Sequence, residues 1–202
     1  MPNTEITVLR FGDRWVPRAL AALPTRAVEG AADIDSAVNG ATRVVVLGAD
    51  ADLAAVLTRL MRTDRLDVEV AYLPGRRGAM RAQTVEAQRI PLIRDETGTV
   101  IVGSALWLPP AGGQVLSGEA VVDDERLFDG EVTSVRIEPT TTSPGLRAAL
   151  VTGPRRRRRW ISGRAVQLGT TGVQVIRDGL PAPREVKRST FYRHTTGWLR
   201  VS

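Results

Sequence analysis

The chain has no cysteine, one histidine (His194) and one lysine (Lys187) among its 202 residues. Without thiols there is neither a disulfide framework nor thiolate chemistry. A lone imidazole cannot build a histidine-rich centre, so neither zinc nor haem is expected. Aromatic residues make up 4% of the chain and do not interleave with the basic ones, which argues against a base-stacking platform for nucleic acid. No apolar run approaches the roughly 18 residues that a spanning helix needs. Residues 1–10 lack the apolar block of a secretory signal. The expectation is a soluble, cytoplasmic protein.

What is present is a chain able to bury a core: 43% of its residues are apolar and 25% charged. Its length suits one large domain or two small ones. Charge is placed unevenly, with 12 basic and 2 acidic residues in 151–202 against 16 basic and 20 acidic in 1–150. A formal net charge of +6 points to a polyanionic partner, either an anionic membrane surface or nucleic acid.

Strand and helix signals alternate over the first 90 residues. ITVLRF (6–11), TRAVEG (25–30), RVVVLGA (43–49) and DVEVAYLP (67–74) read as strands. RWVPRALAAL (14–23) reads as a short helix. A second helix ends near Ala41 with Asp33 or Asp35 as its cap. A third carries Leu53, Val56, Leu57, Leu60 and Met61 at helical spacing, with Asp50 or Asp52 as its cap. Strands separated by helices imply crossover connections and a small open, mostly parallel α/β sheet.

After residue 90 the rhythm changes. LIRDETGTVIVG (92–103) reads as a hairpin, and EVTSVRIEP, LRAALVTG, GRAVQLG, GVQVIRDG and STFYRHTTGWLRV repeat a strand pattern between turn residues. The expected architecture is therefore an α/β domain over 1–90 followed by an antiparallel β-sandwich domain over 91–202. Residues 107–131 carry no assignable pattern.

Two strand-to-helix turns in the first half have the form of anion sites. GADADL (48–53) follows one buried strand, and PGRRGA (74–79) follows the next. In an open α/β sheet, ligands bind beyond the carboxyl ends of the strands, where backbone N–H groups and the helix dipole meet an anion. A plain structural connection would look similar, because most such turns carry a glycine and an acidic cap.

Together these turns resemble the diacylglycerol kinase and lipid kinase family, related to NAD kinases, which carries GGDGTL after one strand and P-x-G-T-G-N before an A-R pair after the next. Gly48, Ala49, Asp50, Ala51, Asp52 and Leu53 lie on the first motif. Pro74, Gly75, Arg76, Arg77, Gly78 and Ala79 lie on the second, with Ala82 and Gln83 on the A-R pair. The family's β-sandwich passes through a D-G-E turn near its end, where this chain has Asp178, Gly179 and Leu180. The resemblance implies ATP and Mg²⁺ as ligands, Asp50 as the residue that would hold the metal, and residues 48–52, 75–78 as the nucleotide-binding set.

The departures fall on the groups that would handle phosphate. Ala49 and Ala51 replace glycines, Asp52 and Arg77 replace threonines, and Ala79 replaces an asparagine. The resemblance places acidic catalytic groups between the hairpin and the final strands. Glu119, Asp123, Asp124, Glu125, Asp129 and Glu131 lie there, but no motif singles out a base. A degenerate, weak or inactive lipid kinase-like protein is the preferred expectation. An active ATP-dependent lipid kinase using Arg76, Arg77 and Asp50 is the alternative, and a basic nucleic-acid-binding module a second one.

PRRRRRW (154–160) reads as an exposed loop. Arg155, Arg156, Arg157, Arg158 and Arg159 beside Trp160 suit an anionic membrane surface at the inner face, or a solvated hairpin tip. His194, near an aromatic tail, reads as a structural hydrogen-bonder, and Phe191, Trp198, Leu199 and Val201 read as core.

Overall fold

A computed structural model describes residues 5–75, 77–151 and 159–202. The chain divides into two units, Met1–Ile90 with Thr196–Ser202, and Pro91–Thr195.

In chain order the first unit contains β1 (Ile6–Phe11), β2 (Thr25–Val28), α1 (Ala31–Val38), β3 (Arg43–Leu47), α2 (Asp50–Arg62), β4 (Glu69–Leu73), the short α3 (Arg81–Thr84) and β5 (Gln88–Ile90). The second unit contains β6 (Ile93–Asp95), β7 (Val100–Ile101), β8 (Ala105–Leu108), β9 (Leu116–Val122), β10 (Glu125–Val132), β11 (Val135–Pro139), β12 (Leu146–Leu150), β13 (Ile161–Gly163), β14 (Ala165–Arg177), β15 (Leu180–Pro181) and β16 (Val186–Arg193). The chain then returns to the first unit as β17 (Trp198–Val201).

The first unit is a six-stranded sheet of order β2-β1-β3-β4-β17-β5, parallel except where β5 joins β17. Every residue of β3 is buried, as expected of a central strand covered on both faces. One face packs Val8, Val45, Leu47, Ala71 and Leu73 against Leu20, Ala79 and Ala82 from the 12–24 and 74–87 segments. By strand alternation Val44 and Val46 point the other way, and α2 buries its own apolar side, Leu53, Val56, Leu57 and Leu60. Arg59 on α2 holds Asp35 on α1 through two hydrogen bonds.

Local corrections follow from competing interactions. The 14–23 segment forms only a 3₁₀ turn, Arg18–Leu20, after Pro17, whose ring and missing N–H prevent a longer helix through it. The cap of α1 is Gly30; Asp33 sits three residues in and accepts the Glu29 and Gly30 N–H groups, while Asp35 is taken by Arg59. Met61 is only partly buried.

The tail is the largest difference. Sequence pattern placed residues 189–201 together in the sandwich, but Trp198–Val201 pairs parallel to β4 and completes the first unit's sheet. A Cβ at Gly197 would lie 2.2 Å from the Ile90 carbonyl oxygen, so glycine is what lets β17 enter beside β5.

The second unit is an antiparallel sandwich of eleven strands. Its spine is β14, which the sequence pattern divides in two at Gly-Thr-Thr-Gly. It is one 13-residue strand with a register shift between Gly169 and Val173. Its first part pairs with β16 and β9, its last part with β8 and β15. That passage lets both layers close on one core, where Trp107 donates its Nε1–H to Ser189 and stands 6.1 Å from Phe191. The 92–103 hairpin is present as β6 and β7, and the unassigned 107–131 segment supplies β9 and β10, a hairpin turning at Asp123-Asp124. Asp178 and Gly179, with φ of 47° and 85°, form the two-residue turn between β14 and β15. The Asp178 carboxylate accepts the N–H groups of Val102, Gly103 and Ser104.

No helix among the described residues is long and apolar enough to cross a membrane.

Candidate functional site

The carboxyl ends of β1, β3 and β4 lie side by side in the first unit, at Phe11, Leu47 and Leu73. The segments that leave them form one edge. Arg14 Nη1 donates to the Pro74 carbonyl at 2.9 Å, joining the loop after β1 to the loop after β4. Between them is a cavity of about 220 Å³ lined by Arg14, Trp15, Leu47, Leu73, Pro74 and Gly75. A second, of about 140 Å³, is bordered by Tyr72, Arg77, Gly78 and Arg81.

The turn after β3 is closed on itself. The cap of α2 is Ala49, neither Asp50 nor Asp52, and its backbone is extended (φ −91°, ψ 176°), a conformation any residue adopts. Its N–H, one of the groups that would face a phosphate, donates instead to Asp52 Oδ2 at 2.7 Å. Gly48 is buried beneath this contact, and a Cβ there would meet Asp52 Cβ at 2.6 Å and Oδ2 at 2.8 Å. The glycine is thus required by the chain's own aspartate. Ala51 occupies the first turn of α2, half-buried.

Asp50 is held from β4: the Tyr72 hydroxyl donates to its Oδ1 at 2.8 Å. Burial, then the Asp50 hydrogen bond and charge, push the Tyr72 hydroxyl well above the usual tyrosine range, so it stays a donor at any ordinary pH. Among the described residues no cluster of three or more potential metal ligands occurs.

On the second turn, Arg77 and Gly78 border the smaller cavity and Gly75 the larger. Gly78 has φ +91°, a backbone that favours glycine. Arg76 lies outside the described residues. Ala79 and Ala82 are core residues packed on the sheet, and Gln83 donates to the Ala19 carbonyl. Residues 48–52 line neither cavity, and their tie to this side is the Tyr72 hydroxyl on Asp50; Gly75, Arg77 and Gly78 are cavity-lining residues. The structure adds Arg14, Trp15, Tyr72 and Arg81, which the sequence reading missed. Arg14 and Trp15 were hidden by the expected helix; that their loop follows a parallel strand was the available signal.

The acidic residues of 104–135 do not converge on a site. Asp123 accepts the backbone N–H groups of Arg164 and Ala165, Glu125 pairs with Arg159, and Glu119 and Asp129 flank Arg126. Glu131 accepts from Ser117, and Asp124 lies exposed in the turn.

Arg155, Arg156, Arg157 and Arg158 lie outside the described residues. Trp160 is half-buried, with the Arg147 guanidinium 4.3 Å from its ring centroid. Arg147 and Arg136 both bind Glu138. Burial alone would raise the Glu138 carboxyl, but the two arginine hydrogen bonds outweigh it and hold its pKa below the usual range.

His194 follows β16, with its backbone N–H on the Leu92 carbonyl. Burial, and then the Arg94 charge, depress the imidazole pKa below its usual 6.5. The unfolded chain therefore binds a proton that the folded one refuses, and folded stability declines as pH falls through 6.5 towards the depressed value. With one histidine in the chain, its NMR titration is directly assignable. We expect a midpoint below 6.5, and a shallower acid-side loss of stability in His194→Gln.

The sequence matches no protein-family model and no curated protein. Solved structures do match. A diacylglycerol kinase from Bacillus anthracis superposes with a TM-score of 0.71 at 8% identity, over 98% of this chain and 96% of that one. An NAD kinase from Archaeoglobus fulgidus in complex with ATP gives 0.67 at 10% identity, over 98% and 93%. A yeast NADH kinase complexed with NADH gives 0.62 at 9%, over 98% and 83%. At such identities the likeness is one of fold: an α/β unit and a β-sandwich unit, as in diacylglycerol kinases and NAD kinases.

Proposed function

We propose that the chain is a lipid-kinase-like protein whose phosphate turn has been closed by its own carboxylate. It binds an anionic ligand, a nucleotide or a phospholipid headgroup, along the arginine side of the crevice, and transfers phosphoryl groups slowly or not at all. The carrying observation is the Asp52 Oδ2 contact to the Ala49 N–H above Gly48. Phosphoryl transfer depends on positioning and on electrostatic stabilisation of the phosphates. A turn that spends its N–H on an internal anion, and presents that anion to the ligand, supplies neither.

What supports retained binding is that Arg14, Arg77 and Arg81 border the two cavities with planar, multi-donor cations. The ATP and NADH held by the two structural neighbours make nucleotides the first class to test. Asp50 would hold Mg²⁺. The run Arg155–Arg159 would add attraction to an anionic bilayer, roughly 1 kcal/mol per arginine near its surface. Trp160, with Arg147 over its ring, serves the fold in this reading.

Calorimetric titration with Mg-ATP and Mg-NAD, alongside an ATP-turnover assay on diacylglycerol vesicles, tests the reading. We expect nucleotide dissociation constants of about 100 µM or weaker and no lipid-dependent turnover. Turnover that disappears in Asp50→Ala would replace this reading with an active lipid kinase. No saturable binding of nucleotide or of anionic headgroup would reduce the crevice to a plain connection.

A further inference from the structure

Two of the large apolar side chains most open to solvent stand on the same edge of the first unit. Trp15 is 59% exposed on the loop after β1, and Met80 is 64% exposed just before α3. Their segments are fastened together by Arg14 on the Pro74 carbonyl and by Gln83 on the Ala19 carbonyl, and both cover one face of the sheet. An indole and a thioether held out in water by an otherwise well-buried unit point to a surface that is covered in use.

The charge around them says by what. Residues 12–20 and 74–84 carry five arginines against one acid, while the rest of that unit carries eight basic residues against ten acidic ones. Of these arginines Arg14, Arg18, Arg77 and Arg81 are described, and all but the half-buried Arg14 are exposed. The unit's positive charge is thus gathered where its apolar tips project. Arginine beside tryptophan is the pairing that suits the boundary between headgroups and acyl chains: the guanidinium reaches phosphate while the ring enters the apolar layer. A duplex would meet the same charge, but a methionine tip offers it nothing to stack on.

We propose that this edge docks on an anionic phospholipid bilayer, with Trp15 and Met80 entering the interfacial layer and the flanking arginines bound to headgroup phosphates. The inference deepens the lipid side of the proposed function and places the cavity between the loops after β1 and β4 against the membrane surface. It assigns the contact to the first unit, independently of the arginine run in the second.

The test uses the full chain with vesicles of phosphatidylcholine alone and vesicles mixed about two to one with phosphatidylglycerol. The protein is expected to sediment with the mixed vesicles only. Brominated acyl chains are expected to quench its fluorescence, and Trp15→Phe to remove most of that quenching, since Trp107 and Trp198 are buried and Trp160 is half-buried under Arg147. Met80→Ser with Arg18→Gln, neither of which lines the cavities, should weaken partitioning roughly ten-fold or more. Circular dichroism should be unchanged in both variants. Undiminished quenching in Trp15→Phe, or full binding by the Met80/Arg18 variant, would overturn the proposal. So would loss of all binding on changing Arg155–Arg159 to Gln alone, or a shift of duplex DNA at the same salt without vesicle binding. Nucleotide titration of the Met80/Arg18 variant keeps the two readings apart: vesicle binding lost with nucleotide binding kept supports docking alone, and the reverse supports the crevice alone.

Discussion

Asp95→Asn is expected to lower the unfolding free energy of the second unit by about 3–5 kcal/mol, the range for breaking one side of a buried ion pair. Asp95 is fully buried in the sandwich, at the end of β6. Its Oδ1 accepts the N–H and hydroxyl of Thr97 and the N–H of Thr99, building the turn that joins β6 to β7. Its Oδ2 meets Arg177 Nε at 2.5 Å, a charge contact rather than an aligned hydrogen bond, since that N–H is not directed at the oxygen. Arg177 is itself 16% exposed. Asparagine keeps an acceptor for the turn and removes the charge, so it isolates the stranded guanidinium. Asp95→Ala also loses the turn and should cost at least as much. Removing both charges, as in Asp95→Asn with Arg177→Met, should restore part of the loss. Urea unfolding followed by near-ultraviolet circular dichroism reads all three. A cost below about 1 kcal/mol for Asp95→Asn would show that the pair contributes as little as a surface one.

Reopening the phosphate turn carries the second large effect. Ala49→Gly with Ala51→Gly and Asp52→Thr is expected to tighten Mg-ATP binding by at least about ten-fold. Two unit charges 4 Å apart in a partly screened site interact by roughly 4 kcal/mol, so withdrawing even part of that repulsion is sufficient. The change also frees the Ala49 N–H for the ligand. The variant should be less stable, by about 1 kcal/mol for the lost first-turn contact and about 1 kcal/mol for glycine inside the helix. Calorimetry and a thermal melt read the two effects separately. Asp52→Asn is the decisive control: it keeps an acceptor near the Ala49 N–H without the charge, and should recover a large share of the gain. Equal affinity in all variants would mean that Asp52 is not what keeps phosphate out.

The α/β half was legible wherever local pattern and burial agree. The continuous apolar run of β3 needs cover on both faces, and the spacing of Leu53, Val56, Leu57 and Leu60 gives α2 one buried side. Failures came where a single interaction overrides pattern. Pro17 truncates a helix that the apolar spacing of 14–23 suggests. In β14, Gly-Thr-Thr-Gly looks like a turn but is a bulge in one strand, because both halves find partners in the sandwich. For the site, the two turns could be found from strand, glycine and aspartate alone. The bond from the Ala49 N–H to Asp52 could not, since the residue type alone does not say whether a carboxylate there accepts from its own turn.

Residue order alone settled the strands and the long helix of the first unit, the change from parallel to antiparallel pairing near residue 90, and the two strand-to-helix turns. Those are matters of short-range periodicity and turn chemistry, written within a few residues of where they act. Long-range packing decided that the final strand crosses back beside β4, that Arg14 reaches Pro74, that Tyr72 holds Asp50, and that Asp95 meets Arg177. Each of those contacts joins residues twenty or more positions apart, and such a meeting depends on the closure of the whole core.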